Sequence, residues 1–148
     1  MTDRLTPAAR SALMAKVRGR GNVTTEVALA QVFRSEGYVG WRRQRTVQGR
    51  RRGGAAWRVR PDFLFPARRL AIFVDGCFWH GCPRHATRPQ GNRAFWLRKF
   101  RQNRERDGRN GRDLRAAGWR VVRLWEHELK PKARSALLRK LRRFFPAA

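Results

Sequence analysis

The stretch RPDFLFPARRLAIFVDGCFWHGCPRH, Arg60–His85, decides the fold. Two short apolar runs stand in it, DFLF after Pro61 and LAIFV from Leu70 to Val74, with PARR between them. Apolar runs of this length bounded by turn residues read as buried strands, and the intervening turn makes them a hairpin. Asp62 opens the first strand and Asp75 ends the second, so the hairpin brings both carboxylates to one end of the sheet. Paired acids suit Mg²⁺, a hard cation that prefers oxygen ligands. Such an ion activates water and stabilises charge at a phosphodiester. Glu26, early in a predicted helix, is a candidate to join them. Position alone fits ordinary strand-end or helix-start acids equally well.

Directly downstream, Cys77, Cys82 and His85 stand at C-x4-C-x2-H spacing. These are both cysteines of the chain and one of its three histidines. Zinc takes thiolate and imidazole ligands in tetrahedral sets of four. A fourth ligand must come from His80 or His127. His80 would have to bend back within its own loop, whereas His127 follows a predicted strand that can lie beside the one ending at Val74. The favoured set is Cys77, Cys82, His85 and His127, leaving His80 free. Two buried thiols beside surface histidines fit the spacing as well.

Outward from this segment the chain alternates helices and strands. TPAARSALMAKVRGRG carries Thr6 as N-cap and Pro7 at the first helical position. A second helix is expected from Thr24 or Thr25, with Val27, Ala30 and Phe33 on one stripe and Gly37 closing it. Residues 49 to 56 read as a flexible, strongly basic loop. A long polar helix is expected from Arg93 to Ala117, ended by Gly118. WRVVRLW, Trp119–Trp125, reads as a third strand. A basic helix follows, about 132–145, with Leu137, Leu138 and Leu141 packing. Among the acids, Glu36, Asp113 and Glu128 read as helix-surface charges. Glu105 and Asp107 read as ion-paired with their Arg neighbours, and Glu126 as a cap for the last helix. The order implies one α/β domain over 1–148, with a mixed central sheet.

Charge narrows the partner. Lys and Arg number 36 against ten Asp and Glu, giving a formal net charge of +26. A GC-rich genome explains Arg over Lys but not this excess of bases over acids. Basic surfaces bind polyanions by releasing condensed counterions, so nucleic acid stands ahead of an anionic membrane. The apolar runs are too short to span a bilayer, and MTDRLTPAAR lacks a signal peptide's apolar core. A cytoplasmic, nucleoid-associated setting with reduced thiols is expected.

The motifs TPAARSALMAKVRGRG, TEVAL, RPDFLF, FVDGCFWHGCPRH, FWLRK, NRERD and LRAAGWRVVRLWEHEL, spread from Thr6 to Leu129, resemble the very-short-patch-repair (Vsr) DNA mismatch endonucleases. These belong to the restriction-endonuclease-like PD-(D/E)xK superfamily. The resemblance implies a Mg²⁺-dependent nick in one strand of duplex DNA at a T·G mismatch. It implies that Asp62 and the Val74 backbone carbonyl hold Mg²⁺, that His80 is the catalytic histidine, and that Glu26 supports the site. It also implies that Asp75 assists catalysis, at a position that is His in the best-known member, where the residue helps catalysis. The same Cys77, Cys82, His85 and His127 set is implied as a structural zinc site stapling the recognition loop. Phe78, Trp79 and Trp96 match residues that insert beside the mismatch from the major groove, and Met14 one that inserts from the other groove. Core packing is the alternative for these aromatics, and for Trp96 and Phe100, at i and i+4, the residue pattern favours it. The Arg/Gly-rich segment at about 48–58 departs from the family's shorter sequence before the Asp. It reads as added phosphate contacts or as a disordered loop. A monomer is expected, with a mismatch-repair protein or a DNA methyltransferase as candidate partner.

Overall fold

The computed structural model describes residues 6–9, 23–77, 82–84 and 91–146. Pro7–Ala9 are helical, and the Ala9 amide donates to Thr6 Oγ1 at 3.1 Å, as an N-cap requires. The elements that follow are a π-helical turn Val23–Val27, helix α1 (Ala28–Ser35), and strands β1 (Arg42–Arg43), β2 (Val47–Arg50), β3 (Ala56–Val59), β4 (Phe63–Phe65) and β5 (Leu70–Asp75). Helix α2 (Arg93–Ala116), strand β6 (Arg120–Trp125) and helix α3 (Arg134–Arg142) complete the order. The main sheet runs β1-β4-β5-β6, antiparallel except for the parallel β5–β6 pair. It is the expected mixed sheet, and α2 makes the crossover that parallel neighbours need.

The turn between β4 and β5 is a 3₁₀ turn at Pro66–Arg68, closed by Arg69 in the left-handed region at φ 48°. The Arg69 guanidinium reaches across to the carbonyls of Ala117 and Gly118, at 2.6 and 3.2 Å. It thereby holds the C-terminal end of α2, where Gly118 takes φ 87° and stops the helix.

Side-chain alternation along β5 divides the core. Leu70, Ile72 and Val74 face one layer, with Phe63, Phe65, Val122 and Leu124 from the neighbouring strands. Against them pack Leu29, Ala30, Val32 and Phe33 of α1, and Leu137 and Leu141 of α3. Val27 of the expected helical stripe is only partly buried, because it lies in the π-helical turn, where the residue spacing differs. Ala71 and Phe73 face the opposite layer, made by Leu64, Leu114 of α2, and Trp57 and Val59. Helix α2 is polar overall yet buries Trp96, Phe100, Asn103, Gly111 and Leu114, with Asp107 half-buried between Asn103 and Gly111, so that one stripe at helical spacing meets the sheet.

Three expectations are corrected. Residues 49 to 56 are not a loose loop. Val47–Arg50 and Ala56–Val59 pair as an antiparallel hairpin, Gly49 opposite Trp57. A Cβ on Gly49 would stand 2.7 Å from the Trp57 ring, so the missing side chain lets the indole lie flat on the strand. The tip needs Gly53 and Gly54, both at φ 91°. Asp113 is not a surface charge. It is buried and takes both guanidinium bonds of Arg51, at 2.8 and 2.7 Å, pinning the hairpin to α2. Those bonds hold the Asp113 carboxyl below the ordinary carboxylate range. Finally, the cap near the C-terminus is Glu128 rather than Glu126. Glu128 accepts from the Trp125 amide at 2.7 Å and from Lys140 Nζ at 3.1 Å. Glu126 only begins a 3₁₀ turn, and α3 has no side-chain cap.

Phe33 joins α1 to the sheet. It is fully buried, and its ring lies edge-on to Phe63 and Phe65, 5.1 Å from each. Phe33→Ala is expected to lower unfolding free energy by about 3–5 kcal/mol, read by urea denaturation. A loss within about 0.5 kcal/mol, the range of surface substitutions, would contradict this role.

Candidate active site and metal centre

The acids converge where β4 begins and β5 ends. Asp62 Oδ2 accepts the Val74 amide at 2.8 Å, which fixes the carboxylate against the neighbouring strand. Gln44, just after β1, is held at φ 53°, a conformation uncommon for a residue with a side chain. Its amide nitrogen donates to Glu26 and to Asp62 Oδ1, the latter at 3.4 Å. Its backbone amide donates to the Asp62 carbonyl at 3.2 Å. Arg43 adds a 2.5 Å bond to Glu26. Glu26 is almost wholly buried, and the π-helical turn before α1 presents it to this cluster. Two carboxylates thus straddle one amide. Burial pushes the Asp62 carboxyl up to about 6, against the opposing effect of the Val74 amide; the nearby Glu26 and Asp75 charges add to the rise. A carboxylate kept costly to ionise and flanked by a second acid is a place for a cation.

Asp75 is brought to the same end of the sheet, but both its oxygens are taken by Arg123 of β6, each at 2.9 Å. Arg123 also lies over the Phe73 ring and reaches Asp107 of α2 at 3.2 Å. Asp75 therefore ties β5, β6 and α2 together, and the carboxylate that shares the Gln44 amide with Asp62 is Glu26. Asp107 is paired, as expected, with Arg106 and Arg123.

The second cluster lies just beyond β5. The Cys82 amide donates to the Cys77 carbonyl at 2.9 Å, turning both thiols inward. His127 Nδ1 lies 3.4 Å from Cys77 Sγ and 3.5 Å from Cys82 Sγ, and the three ligand atoms stand within 4.8 Å of one another. Tetrahedral ligands at zinc's S and N bond lengths sit about 3.6 Å apart, so these three fit a metal. Trp125 stacks its ring on His127, at an interplanar angle of 11°, and fixes the imidazole. Burial pushes the Cys77 thiol up, with a hydrogen bond from the His127 backbone opposing. A metal would have to displace that proton.

Trp96 is buried and lies 6.1 Å from Phe100, while its neighbours Phe95 and Leu97 are the exposed apolar residues of this turn. Met14, Phe78, Trp79, His80 and His85 lie outside the described residues. Gln44, Arg43 and Arg123 were not anticipated. Nothing local marks a Gln that bridges two acids from a left-handed backbone.

Residues 2–86 match the family described as DNA mismatch endonuclease Vsr. The chain is 39% identical over 133 residues to Type II nicking enzyme V.XorIIP of Xanthomonas oryzae pv. oryzae, covering 87% of this chain and 88% of that protein. It is 51% identical over 75 residues to Type II nicking enzyme V.NaeI of Lentzea aerocolonigenes, covering 51% of this chain and 45% of V.NaeI. To DNA mismatch endonuclease Vsr of Escherichia coli it is 40% identical over 85 residues, 52% of this chain and 54% of that protein. These relatives and the basic, acid-centred site define a DNA endonuclease. The chain belongs to the Vsr family.

Raising the Asp62 pKa above its unfolded value makes ionisation costly in the fold. The cost is absent below the ordinary carboxylate range, grows as pH rises towards about 6, and is complete above it. Without divalent metal, Asp62→Asn is expected to raise the thermal midpoint at pH 8 by a few degrees, the gain shrinking towards pH 4. A variant less stable than wild type at pH 8 would show that Asp62 is not penalised by burial.

Proposed function

We propose that this endonuclease nicks one strand of duplex DNA at a T·G mismatch, the lesion left when 5-methylcytosine deaminates. What carries the reading is the Asp62–Gln44–Glu26 cluster at the Val74 edge, in a chain of the Vsr family. Asp62 and the Val74 carbonyl are the residues to hold Mg²⁺. The ion supplies Lewis-acid polarisation of the scissile phosphate. Gln44 keeps the Asp62 carboxylate aimed, and Glu26, through the same amide, balances its position. His80 would take the proton of the water whose oxygen bonds to phosphorus, as one P–O ester bond breaks and the leaving sugar oxygen takes a proton from solvent. Cys77, Cys82 and His127, with His85, hold zinc, which folds the recognition loop and takes no part in the chemistry. Phe78 and Trp79 wedge beside the mismatch, where unstacking is cheap, with Met14 entering from the other groove. Trp96, expected beside them, is instead buried against Phe100. Among the described residues no helix is long and apolar enough to cross a membrane, and the chain works on DNA in the cytoplasm.

A second reading keeps the nick and changes the target: a sequence-specific nicking enzyme allied to a DNA methyltransferase. The names of V.NaeI and V.XorIIP as Type II nicking enzymes favour it. Labelled duplexes with T·G or matched T·A at one position, with Mg²⁺ or EDTA, separate the two. A Mg²⁺-dependent nick on the thymine strand of the mismatch, reduced about 100-fold or more in Asp62→Ala, is the expected result. Equal cutting of both duplexes would discard the mismatch target. Elemental analysis is expected to find one zinc per chain. Cys82→Ser is expected to lose zinc and stability together, and a zinc-free wild type of full stability would remove the zinc site.

A further inference from the structure

The β2–β3 hairpin has one face in the core and one in solvent. Val47, Gly49, Trp57 and Val59 turn inward, the last two buried. Gln48, Arg50 and Arg58 are exposed on the other face, with Arg52 exposed at the tip. Gln48 stands opposite Arg58, which makes Arg50 its diagonal neighbour, about 7–8 Å away along the sheet. No acid occurs between Arg42 and Arg60. The acid the hairpin does engage, Asp113, is spent on Arg51 and serves as an anchor. Uncompensated like charges on a rigid ribbon repel one another. They make sense against an anion that spans them.

The roots of the hairpin set its position. β2 begins three residues after Gln44 and β3 ends three residues before Asp62, so both strands spring from the acid cluster. The ribbon then runs along the sheet to its anchor at Asp113, near the end of α2. Strands of four residues plus a turn reach about 13–17 Å, and duplex DNA rises about 3.4 Å per base pair. The ribbon is therefore long enough to span about four or five base pairs from the acid cluster outward.

We propose that this hairpin is an arm that grips the phosphate backbone of duplex DNA on one side of the scissile step, through Arg50, Arg52 and Arg58. The proposal rests on the reading of the chain as a nuclease acting on duplex DNA. It adds where the duplex lies. The contacts go to phosphates, so they strengthen binding without reading sequence.

The test compares Arg52→Gln/Arg58→Gln with a control pair, Arg139→Gln/Arg142→Gln. The control residues are exposed on α3, which packs on the other face of the sheet. Both pairs remove the same charge. Arg50 is left in place because it also bonds the Gly54 carbonyl at 2.9 Å in the turn. Binding to a short labelled duplex carrying T·G is measured across a salt series, with nicking at saturating DNA followed in the same samples. The arm pair is expected to weaken binding about tenfold at physiological salt. It should flatten the slope of log K against log salt by about two. Its thermal midpoint should match wild type. Unchanged affinity and slope, or equal losses in both pairs, would overturn the proposal. If wild type binds but never nicks while the arm pair alone loses affinity, the nuclease reading fails and the arm stands.

Discussion

A single backbone amide decides where the acids stand. The Val74 N–H is at the end of β5, and it donates to Asp62 Oδ2. That bond places a half-buried carboxylate at the rim of the sheet, where burial resists its ionisation. The rest of the local structure follows from satisfying it. Gln44 adopts a left-handed backbone so that one side chain can serve Asp62 and Glu26 together. Arg43 supplies the counter-charge to Glu26. Such strain persists where the fold over-determines it, and it marks function rather than stability. Strand β5, buried on both faces and paired in parallel with β6, provides the base.

The excess of arginine divides into two kinds. Arg51, Arg69 and Arg123 are structural. Each makes paired hydrogen bonds to groups distant in sequence, and each ties a strand or turn to α2. The guanidinium fork suits that duty, since it forms two bonds in one orientation where a lysine would form a flexible point contact. The arginines exposed on the hairpin are the other kind, and they match a polyanion. The overall charge of +26 is therefore part scaffold and part binding surface.

Much of this was legible along the chain. The apolar runs at DFLF and LAIFV, the PARR turn, and the closure of α2 at Gly118 rest on contacts within a few residues, and the structure has them where the sequence placed them. The Cys77, Cys82 and His127 cluster was also readable, because strand pairing between β5 and β6 was foreseeable and carries His127 to the cysteines. Long-range polar pairings were not. Asp75 looked like Asp62's partner because a hairpin brings strand ends together. The arginine that takes its oxygens comes from a strand 48 residues later. Residues 49 to 56 looked like a loop because Arg and Gly are poor strand formers. The burial of Trp57 over Gly49 and the Arg51–Asp113 anchor outweigh that preference.

In the proposed mechanism Asp62 holds the divalent ion through which this endonuclease works. Mn²⁺ titrated into the protein–duplex complex and followed by electron paramagnetic resonance tests it directly, with Asp62→Asn beside the wild type. A tight site is expected in the wild type and an affinity at least about tenfold lower in the variant, a loss of about 1.4 kcal/mol or more. Equal Mn²⁺ binding by the two proteins would contradict it.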